Sequence, residues 1–289
     1  MSERPERRWV ESLYAGSAAH YPIGRVAYPP GVADALRREL GLDGHGRLLD
    51  VGCGPGPLAL VLAADFEQVV GVDADASMLA EAARQAAIRG VGNVQWVHLQ
   101  AEHLPAGLGE FRLVGFAQSF HWMQRDRVAA TARSMLEPGG AVVVVHASTH
   151  RGLSEAGGAG LPHPQPPWDA IDELVVQYLG EGRRPSESHR RHPGHERQQE
   201  ASEQAVMSGA GFGAAMRLTV PHADDVLERT EDELVSSVFS LSSATPHLFG
   251  DRLPAFEVDL RRLLRAASPD GRFSARFREI SLAVYRPIG

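Results

Sequence analysis

From residue 47 to residue 147 the chain alternates short apolar runs with amphipathic ones, and this alternation restricts the fold more than any other feature. RLLDVG, QVVGVD, NVQWVHLQ, FRLVGFAQSF and AVVVVHAS read as strands. Between them PLALVLAADF, ASMLAEAARQAAIRG and RDRVAATARSMLEPGG read as helices, the second stopped by Gly90 and the third closed by Pro-Gly-Gly. Strands separated by helices of this length indicate βαβ units around a parallel sheet. Near-continuous apolar strands such as 141–147 belong in a sheet covered on both faces.

The flanking segments differ. Residues 1–30 are polar and aromatic, and Pro29-Pro30 opens a helix, GVADALRREL. After Thr149 come a Gly-, Pro- and His-rich stretch (150–168) and a polar one (183–200). Helical patterns cover 168–179, 196–208, 230–241 and 253–267, and the tail FSARFREISLAVYRPI should be a strand. We therefore expect an N-terminal helical cap (1–45), a core (46–149), and lid helices with the last strands of the same sheet (150–289). The 289 residues are 43% hydrophobic, enough for one large α/β domain with a lid.

Bulk properties exclude several classes. No apolar run approaches the roughly 18–20 residues of a membrane span. The start, MSERPERRWVESLY, lacks the apolar stretch of a signal peptide. The single cysteine, Cys53, excludes an intramolecular disulfide and fits a reducing, cytoplasmic setting. A formal net charge of -7 disfavours nucleic acid as a partner. A homo-oligomer paired through lid helices stays open.

The motif with chemistry in it is Asp50-Val51-Gly52-Cys53-Gly54-Pro55-Gly56-Pro57, between a buried strand and a helix. Glycines there allow a tight turn and close backbone approach to a ligand. Asp73 ends the next strand, about 20 residues on, where a carboxylate can take both ribose hydroxyls. A dinucleotide site wants G-x-G-x-x-G, and Pro57 stands where its third glycine would be. A nicotinamide-dependent oxidoreductase is thus disfavoured. A bare structural turn is the remaining alternative.

Taken together, residues 47–147 resemble the class I S-adenosylmethionine-dependent methyltransferases, within them the small-molecule group called type 11. The resemblance implies a Rossmann-like, doubly wound, mostly parallel seven-stranded sheet with helices on both faces and a helical lid. It implies S-adenosyl-L-methionine as cofactor and a small-molecule acceptor with an O, N or C nucleophile, as in secondary metabolism. DVGCGPG supplies the cofactor loop (Gly52, Cys53, Gly54, Gly56), and VDAD the ribose carboxylate, Asp73, with Ala74 and then Met78 nearby. Gln100-Ala101-Glu102-His103-Leu104-Pro105 resembles the family's adenine-contacting D-A-E-x-L-P, with Gln100 in place of Asp. Gln118-Ser119-Phe120-His121-Trp122 resembles the end of strand 4, and Leu136-Glu137-Pro138-Gly139-Gly140 the turn before strand 5. Arg112 replaces the usual acidic residue before strand 4. The Asp/Asn-Pro-Pro-aromatic motif of base- and amide-methylating enzymes is absent. YAGSAAHYPIGRVAYP resembles the family's N-terminal cap, which puts Tyr21 and Arg25 against the cofactor.

His121 and then His146 are the candidate general bases, since each follows a strand at the carboxyl edge where ligands bind. The alternative is packing, His121 with Trp122 under the adenine. Tyr14, Tyr28, Trp122 and Trp168 are the candidate acceptor residues, and Trp168, Tyr178, Phe239 and Phe249 suggest an apolar or aromatic acceptor. His189, His192 and His195 lack a carboxylate or cysteine at ligand spacing, so no metal site is expected. An S-adenosylmethionine-binding protein or cyclase that transfers no methyl group would carry the same motifs.

Overall fold

The computed structural model describes residues 13–151, 160–183, 193–221, 226–277 and 279–288. The charged start of the chain, His189 and His192 lie outside these residues, and the side chain of His195 does too. The central strand is β1 (Arg47–Val51). On one side it pairs in parallel with β2 (Gln68–Asp73), which pairs with β3 (Val94–His98). On the other it pairs with β4 (Phe111–Ala117), which pairs with β5 (Leu136–His146). Two late segments extend the sheet: β6 (Met216–Val220) and β9 (Ile280–Tyr285), with β9 antiparallel to both β5 and β6. The order is β3-β2-β1-β4-β5-β9-β6. It reverses direction between β1 and β4, the switch point at which open α/β sheets bind ligands.

Helices cover both faces. Val32 and Leu36 of α2 (Gly31–Leu40) and Leu58 and Leu62 of α3 (Pro57–Leu62) pack on Leu48, Val69, Leu113 and Val143. Val128 and Ala132 of α5 (Arg125–Ser134) and Met207 of α7 (Pro193–Gly209) pack on Leu49, Val70, Val114 and Val142. Successive strand residues thus alternate between two cores, as a sheet buried on both faces requires. Full burial of each such side chain contributes about 1.5–3 kcal/mol. Between β2 and β3 lies α4 (Ala76–Ile88). It starts at Asp75, whose carboxylate accepts from the N–H groups of Ser77 and Met78. It ends in a Schellman turn: Gly90 has φ +66°, its N–H reaches Ala87 O, and Val91 N–H reaches Ala86 O.

One boundary differs from expectation. The Pro-Gly-Gly after α5 does not close a loop; it lies inside β5, which already begins at Leu136. Leu136 pairs with Phe111, and the register then slips between Phe111 and Leu113. Gly139 has φ +82°, and a Cβ at Gly140 would lie 3.1 Å from the Phe111 and Arg112 carbonyl oxygens. Only glycines let the strand enter that close to its neighbour.

The remaining elements form a cap with its own apolar core: α6 (Trp168–Leu179), α8 (Glu231–Phe239), α9 (Leu253–Ala267), and a separate two-stranded antiparallel sheet of β7 (Leu227–Thr230) and β8 (Arg272–Ala275), which the sequence patterns do not suggest. Phe239, Phe249, Phe256, Leu260 and Phe273 fill this core. The short helix α1 (Tyr21–Gly24) fastens it to the rest. A Cβ at Gly24 would lie 2.3 Å from the backbone of Ser236 and Ser237, so α1 and α8 meet backbone to backbone. Beside this crossing the buried Arg229 guanidinium donates to the carbonyls of Gly24 (2.7 Å), His150 (3.0 Å) and Glu233 (3.0 Å). Burial lowers its pKa to about 10, which still leaves it charged near neutrality. Ser17 Oγ donates to Phe239 O at 2.6 Å.

Because no side chain fits at the crossing, Gly24→Ala should destabilise the protein by about 1–3 kcal/mol, the usual cost of overpacking. Urea denaturation of the two proteins checks this, and a change below about 0.5 kcal/mol, the size of a neutral surface substitution, would refute the account.

Candidate functional site

The carboxyl ends of β1, β2 and β4 converge on one cleft, whose open space including the mouth is about 830 Å³. Its floor is the glycine loop after β1. Gly52 N–H (2.8 Å) and Cys53 N–H (3.0 Å) both donate to Val72 O, and Gly54 N–H donates to Asp73 Oδ2 at 2.7 Å. The other oxygen, Oδ1, accepts from Asp75 N–H at 2.9 Å. The loop is thereby tied to the end of β2, and the Asp73 carboxylate is aimed by two backbone donors. A Cβ on Gly54 would meet nothing within 4 Å, so the chain leaves open space above that residue. The far wall is the segment Leu99–Glu102, with Glu102 Oε1 accepting from Gln124 N–H at 2.8 Å. The roof is Tyr14, Tyr21 and Tyr28 from the N-terminal segment together with Trp122.

Residues 48–140 match the methyltransferase domain family. A malonyl-[acyl-carrier protein] O-methyltransferase of Enterobacter lignolyticus is 29% identical over 221 residues, which cover 76% of this chain and 75% of that protein. Residues 48–140 thus form a methyltransferase domain of the class I S-adenosylmethionine-dependent kind. Solved structures agree on the fold. One is an S-adenosylmethionine-dependent methyltransferase from Geobacter sulfurreducens, in complex with S-adenosyl-L-homocysteine; the TM-score is 0.52, with 13% identity, 96% of this chain and 99% of that one covered. Another, a type II methyltransferase from Anaeromyxobacter dehalogenans, has a TM-score of 0.50 and 23% identity, covering 90% of this chain and 95% of that one.

The cofactor of this methyltransferase is S-adenosylmethionine, and the cleft suits it. Asp73 can accept from two ribose hydroxyls while keeping its backbone donors, since each carboxylate oxygen has two lone pairs. Burial raises the Asp73 pKa, and the Asp75 and Gly54 N–H groups oppose the rise. The cofactor lacks a phosphate, and no arginine, lysine or histidine lines the cleft among the described residues. Of the expected residues, Tyr14, Tyr21, Tyr28, Gly52, Cys53, Gly54, Asp73, Ala74, Met78, Gln100, Ala101, Glu102, Gln118 and Trp122 all line it.

Five others stand outside its lining, each for a visible reason. Gly56 faces the protein: a Cβ there would lie 2.6 Å from the Trp96 ring, which also presses on Gly71. Arg25 is turned toward the cap, donating to Ser240 Oγ (2.8 Å) and Ser240 O (2.9 Å) with its guanidinium 4.9 Å from the Tyr21 ring centre. The exposed His121 ring sits beside Trp122, with centroids 5.0 Å apart. His146 turns into the core and lies 3.1 Å from the buried carboxylate of Glu203, which also accepts from Tyr285. Trp168 carries the Arg151 guanidinium 4.9 Å from its ring centre, and Arg151 in turn holds buried Asp172. The cap aromatics Tyr178, Phe239 and Phe249 likewise pack on Phe256 rather than on a ligand.

Pro57, Leu99, Ala117, Ser119 and Met123, which were not among the expected residues, complete the lining. Ser119 Oγ donates to Val51 O at 2.6 Å, and a Cβ on Gly52 would lie 2.6 Å from Ser119 Cβ and 2.9 Å from Met123 Cε. The first glycine therefore makes room for the turn after β4. Nor does the sequence disclose the state of Asp50. This carboxylate is fully buried; Oδ2 accepts from Ala59 N–H at the start of α3 (3.0 Å), and Oδ1 has no partner among the described residues. Burial pushes its pKa up to about 7 against 3.8 in the open chain.

A raised carboxyl pKa means that the folded protein holds a proton which the unfolded chain releases. Stability from this group is full below about pH 4 and is lost as pH rises through about 7. Asp50→Asn removes that loss. The variant should gain on wild type between pH 5 and pH 8, by at most about 3 kcal/mol, two units at 1.4 kcal/mol each. Urea denaturation at the two pH values reads the gain, and an equal difference at both would exclude the account.

Proposed function

We propose that this methyltransferase passes a methyl group to an oxygen, nitrogen or carbon nucleophile on a small molecule that enters between the N-terminal tyrosines and Trp122. One observation carries this reading: one cleft is lined both by Asp73 and Gly54, over which the space is open, and by Tyr14, Tyr28 and Trp122. S-adenosylmethionine, when bound, supplies a methyl group on a positively charged sulfur, already activated for in-line displacement. The residues of the chain then have two roles, alignment and the exclusion of water. Alignment alone supplies up to roughly 7–11 kcal/mol in favourable cases. The N-terminal segment, fastened to the cap by Arg229 and Ser17, brings Tyr14, Tyr21 and Tyr28 to the cleft, where they exclude water.

The cleft favours an acceptor that is already nucleophilic. Its two carboxylates, Asp73 and Glu102, accept from backbone N–H groups at the ribose and adenine end. Burial pushes the phenols of Tyr14 and Tyr28 up, so they keep their protons and serve as donors rather than bases. An ionised carboxylate needs no base, and a buried phenol can donate to it. The O-methylation named for the similar Enterobacter protein is in keeping with such an acceptor, which makes carboxylates the first to test.

Calorimetric titration of S-adenosylmethionine and S-adenosylhomocysteine tests the site. Asp73→Ala should weaken both by about 10²- to 10⁴-fold, since two hydrogen bonds to a charged group contribute about 1.5–3 kcal/mol each. A folded wild type that binds neither ligand would end the reading. Release of S-adenosylhomocysteine is then followed with carboxylate, phenol, amine and carbon-acid acceptors. With the acceptor that turns over, His121→Ala should stay within about threefold of wild type, whereas loss of a general base costs about 10²–10⁴-fold.

A further inference from the structure

The glycine loop hangs from β2 by its first residues. Gly52 and Cys53 N–H donate to Val72 O, and Gly54 N–H donates to Asp73. These bonds stop short of Gly56, which turns the chain into α3 with φ +80°. Against Gly56 lies the ring of Trp96. We infer that Trp96 is a positioning residue for the cofactor: it sets the height of the loop, so that cofactor affinity depends on a ring outside the cleft. The inference rests on the cofactor assignment above and goes one layer beneath it.

Trp96 stands on β3 directly opposite Gly71 of β2. The missing side chain at Gly71 lets the indole lie across β2, since a Cβ there would be 2.5 Å from both Cε3 and Cζ3 of the ring. The outer edge of the same ring reaches the loop, where a Cβ on Gly56 would be 2.6 Å from Cη2 and 3.2 Å from Cζ3. Cys53 Sγ presses on the same gap, 3.0 Å from the Cβ that Gly71 lacks. Two loop residues, Cys53 and Gly56, thus rest on one unit made of Gly71 and Trp96. Cys53, Gly54 and Pro57 line the cleft, whereas Gly56 and Trp96 stand outside its lining. The ring is therefore one layer below the surface that a ligand meets.

Glycine has more backbone freedom to lose than any other residue, so a glycine turn keeps one shape only where its surroundings impose it. Truncating the ring to leucine opens space under Gly56 while the bonds to Val72 and Asp73 remain. The loop stays attached, but Gly56 and Pro57 lose their support, and a ligand must order them as it binds. Ordering the backbone of one residue lowers affinity by about five- to thirtyfold. A loss of global stability has no such effect, because a protein that is still almost wholly folded presents the same site.

The test is calorimetry of S-adenosylhomocysteine on wild type, Trp96→Leu, Gly71→Ala, the double variant and Met207→Ala, each checked for native circular dichroism and cooperative urea unfolding. Trp96→Leu should weaken the ligand by about five- to thirtyfold. Met207→Ala, which truncates the core on the other face of the sheet, should stay within about twofold of wild type. Gly71→Ala should also weaken binding, because its methyl displaces the ring. In the double variant that methyl meets no ring, so binding should be no weaker than in Trp96→Leu alone. Affinity unchanged in Trp96→Leu would overturn the inference. So would an equal loss in Met207→Ala, which would make the effect a general cost of core truncation. Losses that multiply in the double variant would overturn it too, since residues acting through one shared space are not additive. If Trp96→Leu lacks a native spectrum, Gly71→Ala decides, with weakened binding in support and unchanged binding against. Wild type that binds neither S-adenosylmethionine nor S-adenosylhomocysteine would instead overturn the cofactor assignment.

Discussion

The hydrogen bond from Gly54 N–H to Asp73 Oδ2 joins the two halves of the site. It locks the turn after β1 against the end of β2, and the same residues present both the open floor and the Asp73 carboxylate. The sheet supplies the span between them: Asp50 pairs with Gly71 and Val51 with Val72, so a one-residue slip would move the loop off its anchor. Trp96, paired with Gly71 and pressed beneath Gly56, fills the space under the loop and holds it from below. The three glycines of the motif thus have three separate jobs. Gly52 admits Ser119, Gly54 faces the open cleft, and Gly56 admits Trp96.

Covering that floor is the work of residues far apart in sequence. Tyr14, Tyr21 and Tyr28 ride on a segment that belongs to the start of the chain but is fastened to α8 near its end. The fastening uses groups that water would otherwise satisfy: the carbonyls of Gly24, His150 and Glu233 all accept from Arg229. A guanidinium suits this because its planar fork can serve three acceptors at once. The arrangement places a charge in the interior without a carboxylate hydrogen-bonded to it, and its cost appears as the lowered pKa of that arginine.

The core of the fold is legible in the sequence because its signals are local. Strand–helix alternation, the glycine loop, and the acidic residue at the end of β2 each lie within a short window, and together they locate the cleft. What stays hidden depends on partners distant along the chain. Arg25 sits among cofactor-facing residues in the sequence, but Ser240 and Thr149, which hold it, lie more than one hundred residues away. Trp168 reads as a binding aromatic and is a platform for Arg151. His146 reads as a base at a strand end, yet strand alternation points it toward α7, where Glu203 waits. One further signal is present in the sequence: an isolated glycine inside an apolar strand, Gly71, marks a close approach, and the large residue beside it is Trp96.

The crossing of α1 and α8 at Gly24 has a mechanical consequence. Two backbones in direct contact have no side chain between them that could change rotamer and let them slide. Their meeting is all or nothing, because close-packed contacts switch between arrangements instead of deforming continuously. Tyr21 stands on this short helix, and Tyr14 and Tyr28 flank it, so the roof leaves the floor as one piece or stays in place.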